Sequence, residues 1–177
     1  MNIELQAKHA HLDVQRVAIR CLGLFGLLEY LPSEELIKQL RVSYIKGPDP
    51  ISIEACKALF DIGMWHGPQE VDRLLMHDHA SQIQCDKNFF CAVNFSDPEG
   101  NPNVGVLDLL YGGFEIDDWG DLSTCNEDEC VLAVLGEGFA KILLLSQFYS
   151  SVPASLHPVL LSKLITLFFG EETESQR

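Results

Sequence analysis

A stretch near the start of the chain recurs 35 residues later: "CLGLFGLLEYLPSEELIKQL" (Cys21 to Leu40) aligns with "CKALFDIGMWHGPQEVDRLL" (Cys56 to Leu75). Cys21 falls on Cys56, Leu24 on Leu59, Phe25 on Phe60, Leu27 on Ile62, Leu36 on Val71 and Leu40 on Leu75. Each copy reads as helix, tight turn, helix. A period of about 30 to 50 residues with that content marks an α-solenoid, in which each hairpin buries its apolar face only by stacking on a neighbour. Such a stack offers a surface to partners more readily than a cavity for chemistry.

The apolar periodicity places the elements. A first helix is expected over about His11 to Leu28, with Val14, Val17, Ala18, Cys21, Leu22, Leu24, Phe25 and Leu28 forming a broad apolar face. Leu31-Pro32-Ser33 makes a turn, and Ser33 is a natural N-cap ahead of Glu34 and Glu35. The second helix uses Leu36, Ile37, Leu40 and Tyr44, and Gly47-Pro48 stops it. The next hairpin opens after Pro50. Its core positions are Ile53, Cys56, Ala58, Leu59, Ile62 and Trp65, its turn is His66-Gly67-Pro68, and Val71, Leu74 and Leu75 face inward on its second helix. Gly23, Gly26 and Ala58 lower helix propensity or add little bulk, which makes sense where neighbouring helices approach closely.

The period then breaks. Residues 77–103 hold turn formers and little helical pattern, so they are expected to form a long irregular insertion. Further helices are expected over about Val104 to Phe114, Glu129 to Leu145 and Ser155 to Phe169, the last with Pro158 in its first turn, where proline is tolerated. Gly138-Phe139 sits roughly where Leu59-Phe60 does in the second copy. The fold class is therefore all-α: an α-solenoid of about three to four HEAT-like hairpins over residues 10–170, interrupted at 77–103, with a frayed tail at 171–177.

Charge narrows the function classes. The formal net charge is −14, and it is uneven: residues 1–75 carry 8 basic and 10 acidic side chains, and residues 76–177 carry 4 and 16. Nucleic acid binding needs a basic stripe. The second part cannot supply one, and in the first only Arg16, Arg20, Lys38, Arg41 and Lys46 could form a modest patch, with scattered solvated charges the better reading. The start "MNIELQAKHAHLD" has no apolar signal-like run, and Val159 to Phe169 is interrupted and too short to span a bilayer. The six cysteines are then expected to be reduced, with Cys21 and Cys56 acting as small hydrophobes.

Candidate chemistry is sparse. His77, His79, Cys85 and Cys91 are the best zinc candidates, yet their spacing matches no paired-ligand motif and an unliganded loop is the better reading. Cys125 and Cys130 flank acidic residues, which raise a thiol pKa and argue against a reactive cysteine. Glu115, Asp117, Gly120 and Asp121 fall on calcium-loop positions, but Trp119 and Asn126 stand where ligands belong, so a solvated acidic loop with Trp119 pinned into the core is preferred. "GEGFAK" (Gly136 to Lys141) lies inside an apolar helix and is not a phosphate loop. His66 beside Trp65 has a structural role. No catalytic, cofactor-binding or metal residue is assigned, and no enzymatic activity is expected.

Three stretches together resemble one family: "RCLGLFGLLEYLPSEELIKQL" (Arg20 to Leu40), "GPDPISIEACKALFDIGMWHG" (Gly47 to Gly67), and the strings "LLYGGFEIDDWGDL" and "VLAVLGEGFAKILLLSQFYSSVPASLHPVLLSKLITLFF" within Leu109 to Phe169. They are similar to the C-terminal region of the G subunit of condensin (the non-SMC HEAT-repeat subunit, condensin subunit 3), especially in plants, over roughly Val14 to Phe169. The resemblance implies a non-catalytic scaffold within a curved HEAT solenoid. It implies binding to the kleisin and other condensin subunits, with DNA reached only indirectly through the complex and neither membrane nor small-molecule substrate involved. It also implies a role in mitotic and meiotic chromosome condensation, in the nucleus and on chromosomes, with a cytoplasmic pool. An internal block of such a solenoid is expected to expose apolar end faces. Two other readings are a generic HEAT adaptor holding a basic peptide with its acidic part, and a small metal-dependent enzyme using His77, His79 and the nearby cysteines.

Overall fold

The computed structural model describes residues 11–76, 105–115, 130–146 and 157–169, and all regular structure among them is helical. In chain order the helices are α1 (Leu12–Leu28), α2 (Glu34–Lys46), α3 (Asp49–His66), α4 (Pro68–Met76), α5 (Val106–Gly112), α6 (Val131–Leu145) and α7 (His157–Phe169), with a 3-10 turn at Gly113–Glu115. The pairs α1/α2, α3/α4 and α6/α7 are successive hairpins. Helices α1, α3 and α6 pack side by side, α2 and α4 lie behind the first two of them, and α5 is wedged against α3 and α4. The α-solenoid of helical hairpins anticipated from the repeat is the architecture found. The expected insertion at 77–103 and tail at 171–177 lie outside the described residues.

Local chemistry sets the ends of the elements. Ser33 caps α2 as expected, its Oγ accepting from the Leu36 N–H at 3.3 Å. Glu29 Oε2 in turn accepts from the Ser33 N–H at 3.0 Å, which fixes the turn before it. Helix α3 begins at Asp49, two residues earlier than the sequence suggested, because Pro50 in the first turn needs no hydrogen-bond partner there. It ends at Gly67, whose φ of +89° is a backbone conformation that favours glycine. The Gly67 N–H donates to Gly63 O at 3.0 Å, and Pro68 then opens α4.

Helix α3 is buried on nearly every side, from Ile51 through Gly63, because α1 covers one flank, α6 another and α2 and α4 the inner face. Even its polar residues are satisfied internally: Ser52 Oγ donates toward Tyr44 O and Gly47 O at 2.9 and 3.0 Å. The seam with α1 is tight. A Cβ on Gly23 would stand 2.8 Å from the Ala58 Cβ, and one on Gly26 would run into Ile62 Cδ1. The small residues anticipated at these positions are thus where two helices meet almost backbone to backbone.

On the other flank an aromatic knot joins α3 to the third hairpin. Phe60 meets Phe139 edge to face at a centroid distance of 5.2 Å. Tyr111 of α5 and Phe114 of the 3-10 turn close on Phe139 at 5.9 and 5.5 Å. Gly138 leaves room for the Phe60 ring, and Gly136 leaves room for Phe168 of α7. The two glycines of "GEGFAK" therefore serve helix packing on opposite sides of α6, midway along it. Helix α5 is anchored by carboxylates: Asp72 Oδ1 of α4 accepts from the Val106 N–H at 2.7 Å, and Asp108 Oδ2 accepts from the Gly105 N–H at 3.1 Å.

Two expectations about burial fail. Val17, Leu24, Phe25 and Leu28 of α1 are exposed, whereas Ala18, Ile19, Leu22, Gly23 and Gly26 form its buried side. The repeat-equivalent Leu59 and Phe60 are buried because α3 is covered on two flanks, while among the described residues α1 packs chiefly on α3 and α2. Trp65 is not a core residue either, being 71% exposed. It follows Ala58 and Ile62 along the stripe that packs on α1, but α1 stops at Leu28 and offers nothing opposite it.

Candidate interaction surface

Charged groups across the α1–α3 seam are organised around one buried carboxylate. Glu54, 4% exposed, accepts from Arg20 Nε and Nη2 at 2.7 Å each, and from Arg16 Nη2 at 3.4 Å. Burial pushes the Glu54 carboxyl up, but the hydrogen bonds and charge of Arg20, with Lys57 and Arg16 adding to them, outweigh it and hold it below its ordinary value. Arg20 is correspondingly raised, first by its hydrogen bonds to Glu54. The sequence reading passed over Glu54. The signal was available: Glu54 stands at the repeat position of Ile19, a carboxylate in an apolar register, with two arginines one turn apart on the neighbouring copy.

This arrangement disposes of most of the basic patch. Arg16 and Arg20 face Glu54, and Lys38 pairs with Glu34 at 2.7 Å along α2. Arg41 is part-buried and also engaged, and Lys46 is exposed at the last turn of α2. The cations that a polyanion would need are largely occupied by the protein's own carboxylates.

The remaining candidates separate cleanly. His77, His79, Cys85, Cys91, Cys125 and the calcium-like positions Asp117, Trp119, Gly120, Asp121 and Asn126 lie outside the described residues; Glu115 ends the 3-10 turn. Among the described residues no group of three His, Cys, Asp or Glu side chains is placed to hold a metal ion. Cys130 is buried immediately before α6. Cys56 is fully buried and its thiol pushed far up by that burial, whereas Cys21 is only part-buried. His66 ties the end of α3 to α1, its Nε2 lying 2.7 Å from Gly26 O; since a carbonyl only accepts, this nitrogen carries the proton.

What the described surface offers instead is exposed apolar area. On α1 the side chains of Val17, Leu24 and Leu28 recur at helical spacing beside Phe25, and on α7 those of Val159, Leu161, Ile165, Phe168 and Phe169 are exposed. These are the apolar faces expected at the ends of a stacked block. No helix among the described residues is long and apolar enough to cross a membrane.

Comparison with known proteins adds one finding. The family model described as nuclear condensing complex subunits, C-term domain, matches residues 3–177. No curated protein and no solved structure matches the chain.

Proposed function

The chain belongs to the family of nuclear condensing complex subunits, as their C-terminal domain, and from that premise we propose that it is a non-catalytic HEAT-type scaffold segment supporting kleisin binding in mitotic and meiotic chromosome condensation. The family match over residues 3–177 carries this reading. Membership implies contact with other condensin components; the kleisin is proposed as the direct one. Residues 10–170 act as one solenoid segment. Its work is on chromosomes in the nucleus.

Two structural features support a scaffold. Stacked hairpins present exposed apolar side chains on α1 and α7, the kind of surface that a further subunit or solenoid segment covers. The basic residues of α1 and α2 are largely engaged by Glu54 and Glu34, which favours DNA contact through the complex over direct contact by this segment.

Co-expression of the chain with the kleisin subunit, followed by affinity capture and mass spectrometry, tests the proposal. Stoichiometric recovery of kleisin is expected. A folded chain that captures neither kleisin nor other condensin subunits overturns it. Salt-sensitive capture of basic peptides without kleisin would instead favour a generic adaptor, a reading that rests on the 16 acidic against 4 basic residues of 76–177.

A further inference from the structure

The outward side of α7 is apolar and uncovered. Leu160 and Leu164 face the core, and the Phe168 ring lies where Gly136 of α6 leaves room for it. Lys163, the one lysine of the helix, is engaged by the Phe114 ring at 5.8 Å. On the other side Leu161, Ile165, Phe168 and Phe169 are each half or more exposed. Their spacing of i, i+4, i+7 and i+8 places them in one contiguous stripe along the helix, with side chains one turn apart in reach of each other. Pro158, Ser162 and Thr166 border the stripe on its solvent side, so it carries no charge.

The stripe is complementary to itself. Leu161 and Phe169 stand four residues to either side of Ile165. An antiparallel copy related by a two-fold axis at Ile165 sets each Ile165 on its counterpart and each Leu161 against the Phe169 of the other copy, the smaller side chain against the larger. No charge opposes a like charge in that pairing. The area suffices as well. The four stripe side chains leave roughly 500 Å² uncovered on each copy, the upper end of what a monomer exposes in one apolar patch. Two stripes together bury about 1,000 Å², and the bordering Pro158, Ser162 and Thr166 bring the contact to the roughly 1,200 Å² at which specific dimers begin. We infer that a second copy of this chain covers α7, through an antiparallel two-fold contact centred on Ile165. An interface of this size is a weak, reversible one. The contact uses α7 and leaves the exposed α1 stripe open, so it stands apart from the kleisin reading.

Sedimentation of the full chain alone, without kleisin, over a range of concentrations tests the contact. The mass is expected to rise from one chain to two and to stop there, as a closed two-fold pair requires. Ile165→Glu places two carboxylates against each other at the axis and is expected to abolish the dimer, as is Ile165→Lys. An equal mixture of the two variants is expected to restore it, because only the mixed pair joins opposite charges at that position. Leu28→Glu on α1 is expected to leave the dimer intact. Circular dichroism confirms that each variant is folded. If the charged variants fail to fold, Ile165→Cys is oxidised with diamide instead, and peptide mass spectrometry is expected to find residue 165 of one copy joined to residue 165 of the other. A mass of one chain at every concentration overturns the inference and leaves α7 to a different partner. A dimer indifferent to Ile165→Glu, a dimer lost through Leu28→Glu, a mixture of the charged variants that stays monomeric, or the absence of a 165–165 link each overturns it too.

Discussion

Arg20 and Glu54 are 34 residues apart, on helices of successive hairpins, and meet through two hydrogen bonds of 2.7 Å. The geometry is bidentate, and its acceptor is almost wholly buried while its donor is mostly exposed. The pair therefore does two things at once. It satisfies a carboxylate that would otherwise be costly to bury, and it specifies which turn of α1 faces which turn of α3.

Removing the donor should cost more than the pair's exposed side suggests. Arg20→Ala leaves Glu54 with only the 3.4 Å contact to Arg16. A fully buried carboxylate deprived of its partner costs about 3–5 kcal/mol, and solvent access at this edge reduces that to about 1–2 kcal/mol. Arg16→Ala should cost less than half as much. Urea unfolding midpoints of the two variants check the order, and equal losses would contradict it.

Acid should weaken the same seam. The folded Glu54 value lies below its ordinary 4.5. Its stabilisation is fully present above that value and is lost as pH falls through the folded value. The stability difference between the unmodified chain and Glu54→Gln should therefore be largest near neutral pH and shrink below pH of about 4. Urea titrations at several pH values read this, and parallel profiles for the two proteins would refute it.

Two glycines of neighbouring helices should respond with opposite sign. Gly23→Ala gains about 1 kcal/mol of helix propensity but pushes a methyl to 2.8 Å from the Ala58 Cβ, which the backbone holds in place. Overpacking costs about 1–3 kcal/mol, so the variant should be destabilised, and Ala58→Gly should rescue it in part. Gly63→Ala meets nothing nearer than Val106 Cγ1 at 3.9 Å and should stabilise by up to about 1 kcal/mol. Thermal midpoints distinguish the two.

Aromatic truncations should separate the knot from the edge. Phe139 is fully buried among Phe60, Tyr111 and Phe114, so Phe139→Ala should cost about 3–5 kcal/mol. Trp65→Ala should cost under about 0.5 kcal/mol, because its ring is largely in solvent already. Chemical denaturation of both variants gives the comparison; a large loss at Trp65 would place it back in the core.

Thiol labelling should distinguish the repeat-equivalent cysteines. Cys56 is enclosed and its thiol pushed up by burial, so it should stay unmodified by iodoacetamide at pH 8 until the chain unfolds. Cys21, only part-buried, should react in the native state. Peptide mass spectrometry after timed quenching reads both sites.

The hairpins, their turns and their caps were legible in the order of residues because they depend on local chemistry. Ser33 caps α2 wherever the helix is packed, and Gly67 takes the positive φ that ends α3. Gly23 and Gly26 announced a close approach before any partner was known. The ligand-like clusters at residues 77–91 and 115–126 bear on no described geometry beyond the 3-10 turn that Glu115 ends.

Periodicity gives the angle of a side chain around its own helix, and from it the sequence determined that these helices would stack as hairpins. It carries no information on how far the facing helix extends or how many flanks a helix has covered. Tertiary packing decided both. Trp65 lies in the buried register yet stands in solvent because α1 is too short to reach it. Phe25 and Phe60 occupy equivalent repeat positions, but only Phe60 has Phe139 against it. Glu54 could take an apolar position only because Arg20 reaches across from the adjacent hairpin.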